Sequence, residues 1–122
     1  MSFRHILLEL LQSIHGSLGA LFLDWEGECV EVITERPFDA DDHDLRVIGA
    51  YQGIFRAQLR KLCEEMDAGR PLRLKMDFET TKVLTCDLKD GYYLVLVLET
   101  TTNEGVAWQR LEACRHRLLA EI

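Results

Sequence analysis

Pro71-Leu72-Arg73-Leu74-Lys75-Met76-Asp77-Phe78 alternates apolar and polar residues without a break, and together with the segments after it this stretch decides the fold. Leu72, Leu74, Met76 and Phe78 point one way and Arg73, Lys75 and Asp77 the other, which is the two-residue period of a strand. Glu79-Thr80-Thr81 predicts a turn, and Leu84, Cys86 and Leu88 form the inward set of a second strand. Asp90-Gly91 is a hairpin signal. Tyr92 to Leu98 is then unbroken and apolar, as a central strand buried on both faces must be.

Upstream, Phe3, Leu7, Leu10, Leu11 and Ile14 recur at helical spacing, and Gly16 stops that helix. Leu18–Leu23 and Glu28–Thr34 read as strands joined by the turn Asp24-Trp25-Glu26-Gly27. Pro37 and the acidic run Asp39 to Asp44 punctuate the chain next, and carboxylates there favour a helix start. The helix expected from about Asp42 to Ala68 is the longest, closed by Gly69 and Pro71. It carries two apolar stripes. Leu45, Ile48, Tyr51, Phe55, Leu59, Leu62 and Met66 form one, and Val47, Ala50, Ile54 and Ala57 the other, with Gly53 beside them. A surface helix needs one such stripe to pack on its sheet, so the second asks for a separate cover. Thr101 and Glu104 have capping-box spacing and open a last helix with Trp108, Leu111, Cys114, Leu118 and Ile122 inside.

The expected architecture is α+β, a five-stranded antiparallel sheet with helices on both faces in the order α-β-β-α-β-β-β-α, one domain over residues 1–122. The chain has 122 residues with 48% hydrophobic, and a net charge of −7 disfavours nucleic acid and anionic headgroups. No apolar run reaches the roughly 20 residues a membrane helix needs. Cys29, Cys63, Cys86 and Cys114 form no C-x-x-C pair and read as reduced core thiols, so the expected location is the cytoplasm.

No phosphate loop, dinucleotide fingerprint, zinc-protease helix or nucleophile elbow is present in the sequence. His5, His15, His43 and His116 lack metal-ligand spacing. The run from Asp39 fails as a calcium loop, because Asp44 and Ala50 stand where glycine and glutamate belong. No catalytic, cofactor or metal residue is therefore assigned.

Gly19-Ala20-Leu21-Phe22-Leu23-Asp24-Trp25-Glu26-Gly27, with the element order and the Asp90-Gly91 turn, resembles the roadblock / dynein light chain family. The likeness spans nearly the whole chain; the acidic lead-in Asp39 to Asp44 and the pair Tyr92 and Tyr93 depart from it. It implies a non-enzymatic dimer, with itself or with a sister chain, that binds and regulates a Ras-like small GTPase and has no catalytic residues. On that reading Val47, Ala50, Ile54 and Ala57 pack against a second long helix, and Leu72, Arg73, Leu74, Lys75 and Met76 pair edge to edge with a second strand. Tyr51, Phe55, Arg56 and Gln58 form the exposed rim for the GTPase, with Arg56 or Arg60 the nearest candidates for an arginine finger. The alternative is a ligand-binding sensor of the PAS or GAF kind, which needs an internal cavity. An enzyme without a recognised motif comes third.

Overall fold

A computed structural model describes residues 2–34 and 42–122. The elements are α1 (Phe3–Gln12), β1 (Ser17–Leu23), β2 (Cys29–Thr34), α2 (His43–Glu65), β3 (Arg73–Asp77), β4 (Thr81–Asp87), β5 (Tyr93–Glu99) and α3 (Glu104–Glu121). The strands form one five-stranded sheet in the order β2-β1-β5-β4-β3, and every pairing is antiparallel. The expected fold class and element order are what the chain adopts. Pro37 and Asp39 to Asp41 lie outside the described residues.

β5 sits at the centre, and Tyr93 to Leu98 are buried throughout. Its alternate residues serve opposite layers. Leu94, Leu96 and Leu98 join α1 and α3 in a large apolar cluster with Phe22, Leu84 and Leu111. Tyr93, Val95 and Val97 face α2 in a smaller cluster with Leu21, Leu23, Val83 and Leu45. An unbroken apolar strand is thus two alternating strands read together.

The turns are fixed by local chemistry. Asp24 accepts hydrogen bonds at Oδ1 from the N–H groups of Glu26 (2.9 Å) and Glu28 (3.1 Å), which folds the β1–β2 connection on itself. In the β4–β5 hairpin, Asp90 and Gly91 both take positive φ, 56° and 83°, the pattern of a type I′ turn. Trp25 lies so close over Gly91 that a Cβ there would meet the Trp25 Cβ at 2.7 Å. The two turns are therefore clasped together at one end of the sheet.

Two helix starts differ from the sequence reading. Asn103 caps α3, accepting at Oδ1 from the Val106 N–H, while Thr101 takes no part. Neighbouring Thr102 is drawn away because its hydroxyl donates to the Gly16 carbonyl. At α2, Asp42 holds the cap position with φ 64° and makes no side-chain cap bond; Asp44 in the first turn still suits the helix dipole.

α2 approaches the sheet through Gly49 and Gly53. A Cβ on Gly53 would stand 2.6 Å from the Tyr93 hydroxyl, and that ring is 1% exposed and cannot retreat. Gly53→Ala adds about 1 kcal/mol of helix propensity, yet overpacking costs about 1–3 kcal/mol. A lower midpoint in urea unfolding is the expected outcome, with native far-UV circular dichroism below the transition.

Candidate interaction surface

The sheet-facing line of α2 is Leu45, Gly49, Gln52 and Arg56. Only the first is a large apolar residue. Apolar spacing puts Tyr51, Leu62 and Met66 on the packing stripe, but they are 54%, 48% and 66% exposed. The spacing misplaces that face because polar side chains with buried partners occupy it.

Those partners are specific. Thr85 donates its hydroxyl to Gln52 Oε1 at 3.0 Å, and Gln52 Nε2 donates to the Met76 sulfur at 3.3 Å. Arg56 donates to Asp87 Oδ1 at 2.5 Å, with both side chains buried. Asp87 Oδ2 faces Arg70 Nε at 2.8 Å without a well-aligned hydrogen bond. The Arg56 guanidinium also lies over the Tyr93 ring, 4.5 Å from its centre, and the Tyr93 hydroxyl donates to the Gly49 carbonyl at 2.9 Å. Burial pulls Arg56 below its usual range, and the Asp87 carboxylate opposes that pull. Burial likewise pushes the Tyr93 phenol up to about 12.

Arg56 is expected on the exposed rim, and its place under the helix corrects that reading. A guanidinium committed to a buried carboxylate is not available as a finger. Arg60 is exposed and lines a surface cleft of about 470 Å³ with Cys63, Asp67 and Arg70. The other rim candidates are outward or partly so: Tyr51 and Gln58 are exposed, and Phe55 is half-buried with its ring 6.2 Å from that of Tyr51.

With α2 held this way, its outer face carries Val47, Ala50, Ile54 and Ala57, all exposed. Beside it runs β3 at the sheet edge. Leu74 and Met76 are half-buried toward α2, while Leu72, Arg73 and Lys75 are exposed. On the opposite face of the sheet, Arg73 lies over the Trp108 ring at 4.8 Å, and Lys75 pairs with Glu104 of α3 at 3.0 Å. The chain thus exposes an apolar helix face and, at the sheet margin, a strand edge that no other described strand pairs. The sheet faces where a PAS- or GAF-like sensor would keep a ligand are filled by the two apolar clusters. All four cysteines are free; Cys86 and Cys114 are buried, with thiols pushed up to about 12, but Cys29 and Cys63 are only half-buried.

No protein-family model matches the chain, and no curated protein matches it by sequence. Solved structures do. A Roadblock/LC7 domain from Streptomyces avermitilis aligns with TM-score 0.83 at 14% identity, over 94% of this chain and 92% of that one. The gliding protein MglB of Thermus thermophilus aligns with TM-score 0.84 at 16% identity, over 97% and 86%. MglC of Myxococcus xanthus aligns with TM-score 0.68 at 22% identity, over the whole of both chains. The fold is that of the roadblock/LC7 domains.

Removing one partner from a buried ion pair leaves a bare charge, which costs about 3–5 kcal/mol. Asp87→Ala is expected to destabilise the fold by that much in chemical unfolding, and Arg56→Met combined with Asp87→Leu by less than the single change. The Tyr93 phenol predicts a second effect. Its folded value lies above its ordinary 10.0, so its contribution is complete below pH 10 and is lost as pH rises toward 12. The stability gap between the wild type and Tyr93→Phe is expected to narrow across that window in pH-dependent thermal melts.

Proposed function

We propose that the chain is a dimeric, non-enzymatic regulator or scaffold for a Ras-like small GTPase. The observation that carries this reading is the outer face of α2. Val47, Tyr51, Ile54 and Leu62 are large hydrophobics exposed along a helix whose inner face is already committed to polar partners. Leu72, just before the edge strand β3, is a further large hydrophobic, 59% exposed. Apolar strips and open edges of this kind are association surfaces, because leaving them bare invites uncontrolled pairing. The roadblock fold supports the same reading, since the resemblance implies paired long helices, joined sheet edges and a GTPase seated on the platform. The Thermus relative in structure is a gliding protein, which favours a motility-linked process.

In this arrangement Val47, Ala50, Ile54 and Ala57 meet their copies across the helix pair, and β3 meets a second strand. Tyr51, Phe55 and Gln58 remain for the GTPase. With Arg56 buried, regulation works by holding the GTPase's own switch segments in one conformation. No helix among the described residues is long and apolar enough to cross a membrane.

Ile54→Asp is expected to shift the protein from dimer to monomer in sedimentation velocity while its far-UV spectrum stays native. Pull-down from the native lysate with a GTP analogue or with GDP is expected to enrich a small GTPase in one nucleotide state. Tyr51→Ala should reduce that recovery without dissociating the dimer. Equal recovery in both states, or none, would refute the regulator reading.

A further inference from the structure

We infer that the β3 edge is a self-complementary code that selects a second copy of this chain, pairing antiparallel about Lys75 so that each Arg73 faces the other copy's Asp77. This rests on the edge-to-edge association proposed above and adds its register and its partner.

The backbone limits the choice. The Asp87 N–H donates to the Leu72 carbonyl at 2.9 Å, and the Phe78 N–H donates to the Thr81 carbonyl at 2.8 Å. Hydrogen-bonded pairs alternate along an antiparallel ladder, so Leu72, Leu74, Met76 and Phe78 address β4. Arg73, Lys75 and Asp77 therefore direct their N–H and C=O groups outward. A two-fold pairing centred on Lys75 uses every one of these groups, because the strand Arg73–Asp77 is symmetric about that residue.

The side chains agree with this register. Arg73 opposes Asp77 of the second copy twice over, and opposite charges directly across an antiparallel pair are stabilising. Leu74 opposes Met76 on the α2 side, which extends the apolar strip across the junction. The central lysines face each other, but each Lys75 is neutralised within its own chain by Glu104 at 3.0 Å and Asp77 at 3.3 Å. The adjacent registers fare worse. Centring on Leu74 sets Arg73 against Lys75 twice. Centring on Met76 sets Lys75 against Asp77 twice, but it sends Arg73 to Glu79, beyond the end of the strand at Asp77, and so forfeits the Arg73 backbone bonds that the Lys75 register keeps. A sister chain without this charge order would lose both cross-strand pairs.

The test is a charge exchange read by sedimentation velocity, with far-UV spectra and melting curves confirming that each variant folds. Arg73→Asp and Asp77→Arg, each alone, are expected to raise the homodimer dissociation constant at least about ten-fold. An equimolar mixture of the two, and the chain carrying both changes, should associate as the wild type does. Asp77→Asn should weaken the homodimer by a smaller factor. Lys75→Pro separates this inference from the reading beneath it, because it removes one outward N–H and leaves the β4 ladder intact. If Lys75→Pro weakens the dimer while the charge variants do not, or if the mixture associates no better than its components, the register is wrong and the edge reading stands. If Lys75→Pro also dimerises as the wild type does, the edge is not used and both fall.

Discussion

The buried Arg56–Asp87 pair is the constraint on which the arrangement of the molecule depends. α2 has little apolar grip on its sheet: Leu45 is its one buried large hydrophobic, and the rest of its inner face is Gly49, Gln52 and Arg56. An oily contact tolerates rotation of a helix about its axis, whereas an ion pair and two side-chain hydrogen bonds do not. Asp87 also ties the neighbouring elements through its main chain. Its N–H donates to the Leu72 carbonyl just before β3, and its carbonyl accepts from Arg115 Nε of α3 at 2.8 Å. One residue at the end of β4 thus fixes the rotation of α2, the path of the chain into β3 and the flank of α3. The direction in which Val47, Ile54 and the strand edge face outward depends on it.

The two sheet faces divide the labour. On the α1 and α3 side the core is almost wholly apolar, and an aromatic chain runs from Phe3 through Phe22 and Tyr92 out to the exposed Trp25, with ring centres 4.8, 5.4 and 5.5 Å apart. Arg117 of α3 and Glu9 of α1 close that layer with a surface ion pair. Burial of this extent is where folding free energy comes from. The α2 side contributes less apolar area and more direction. Stability is concentrated in one layer and orientation in the other, which leaves the outer face of α2 free to be apolar.

Much of this is legible in the sequence. The alternation from Leu72 to Phe78, the unbroken run after Tyr92 and the glycine-bearing turns each have one strong local reading, and together they give the element order. The inner face of α2 is not legible by the same means. Hydrophobic spacing assumes that buried means apolar, and Gln52 and Arg56 break that assumption because their partners, Thr85 and Asp87, lie 33 and 31 residues away. The available signal is indirect: Gly49 and Gly53 mark one line of the helix as the close-approach face, and Gln52 and Arg56 continue it. The capping of α3 by Asn103 escapes for a smaller reason, since three adjacent polar residues could each serve and only the contact from Thr102 to Gly16 decides among them.

The alternation along β3 has a consequence in time as well as in space. The N–H groups of Leu74 and Met76 belong to the ladder with β4, and solvent reaches them only when that ladder opens. Those of Arg73, Lys75 and Asp77 face away from it, so in a lone chain water-catalysed proton exchange at these positions needs no unfolding at all. Covering the edge would slow these three amides while leaving their neighbours on the same strand unchanged. The strand therefore carries two interleaved clocks, one set by folding and the other by association.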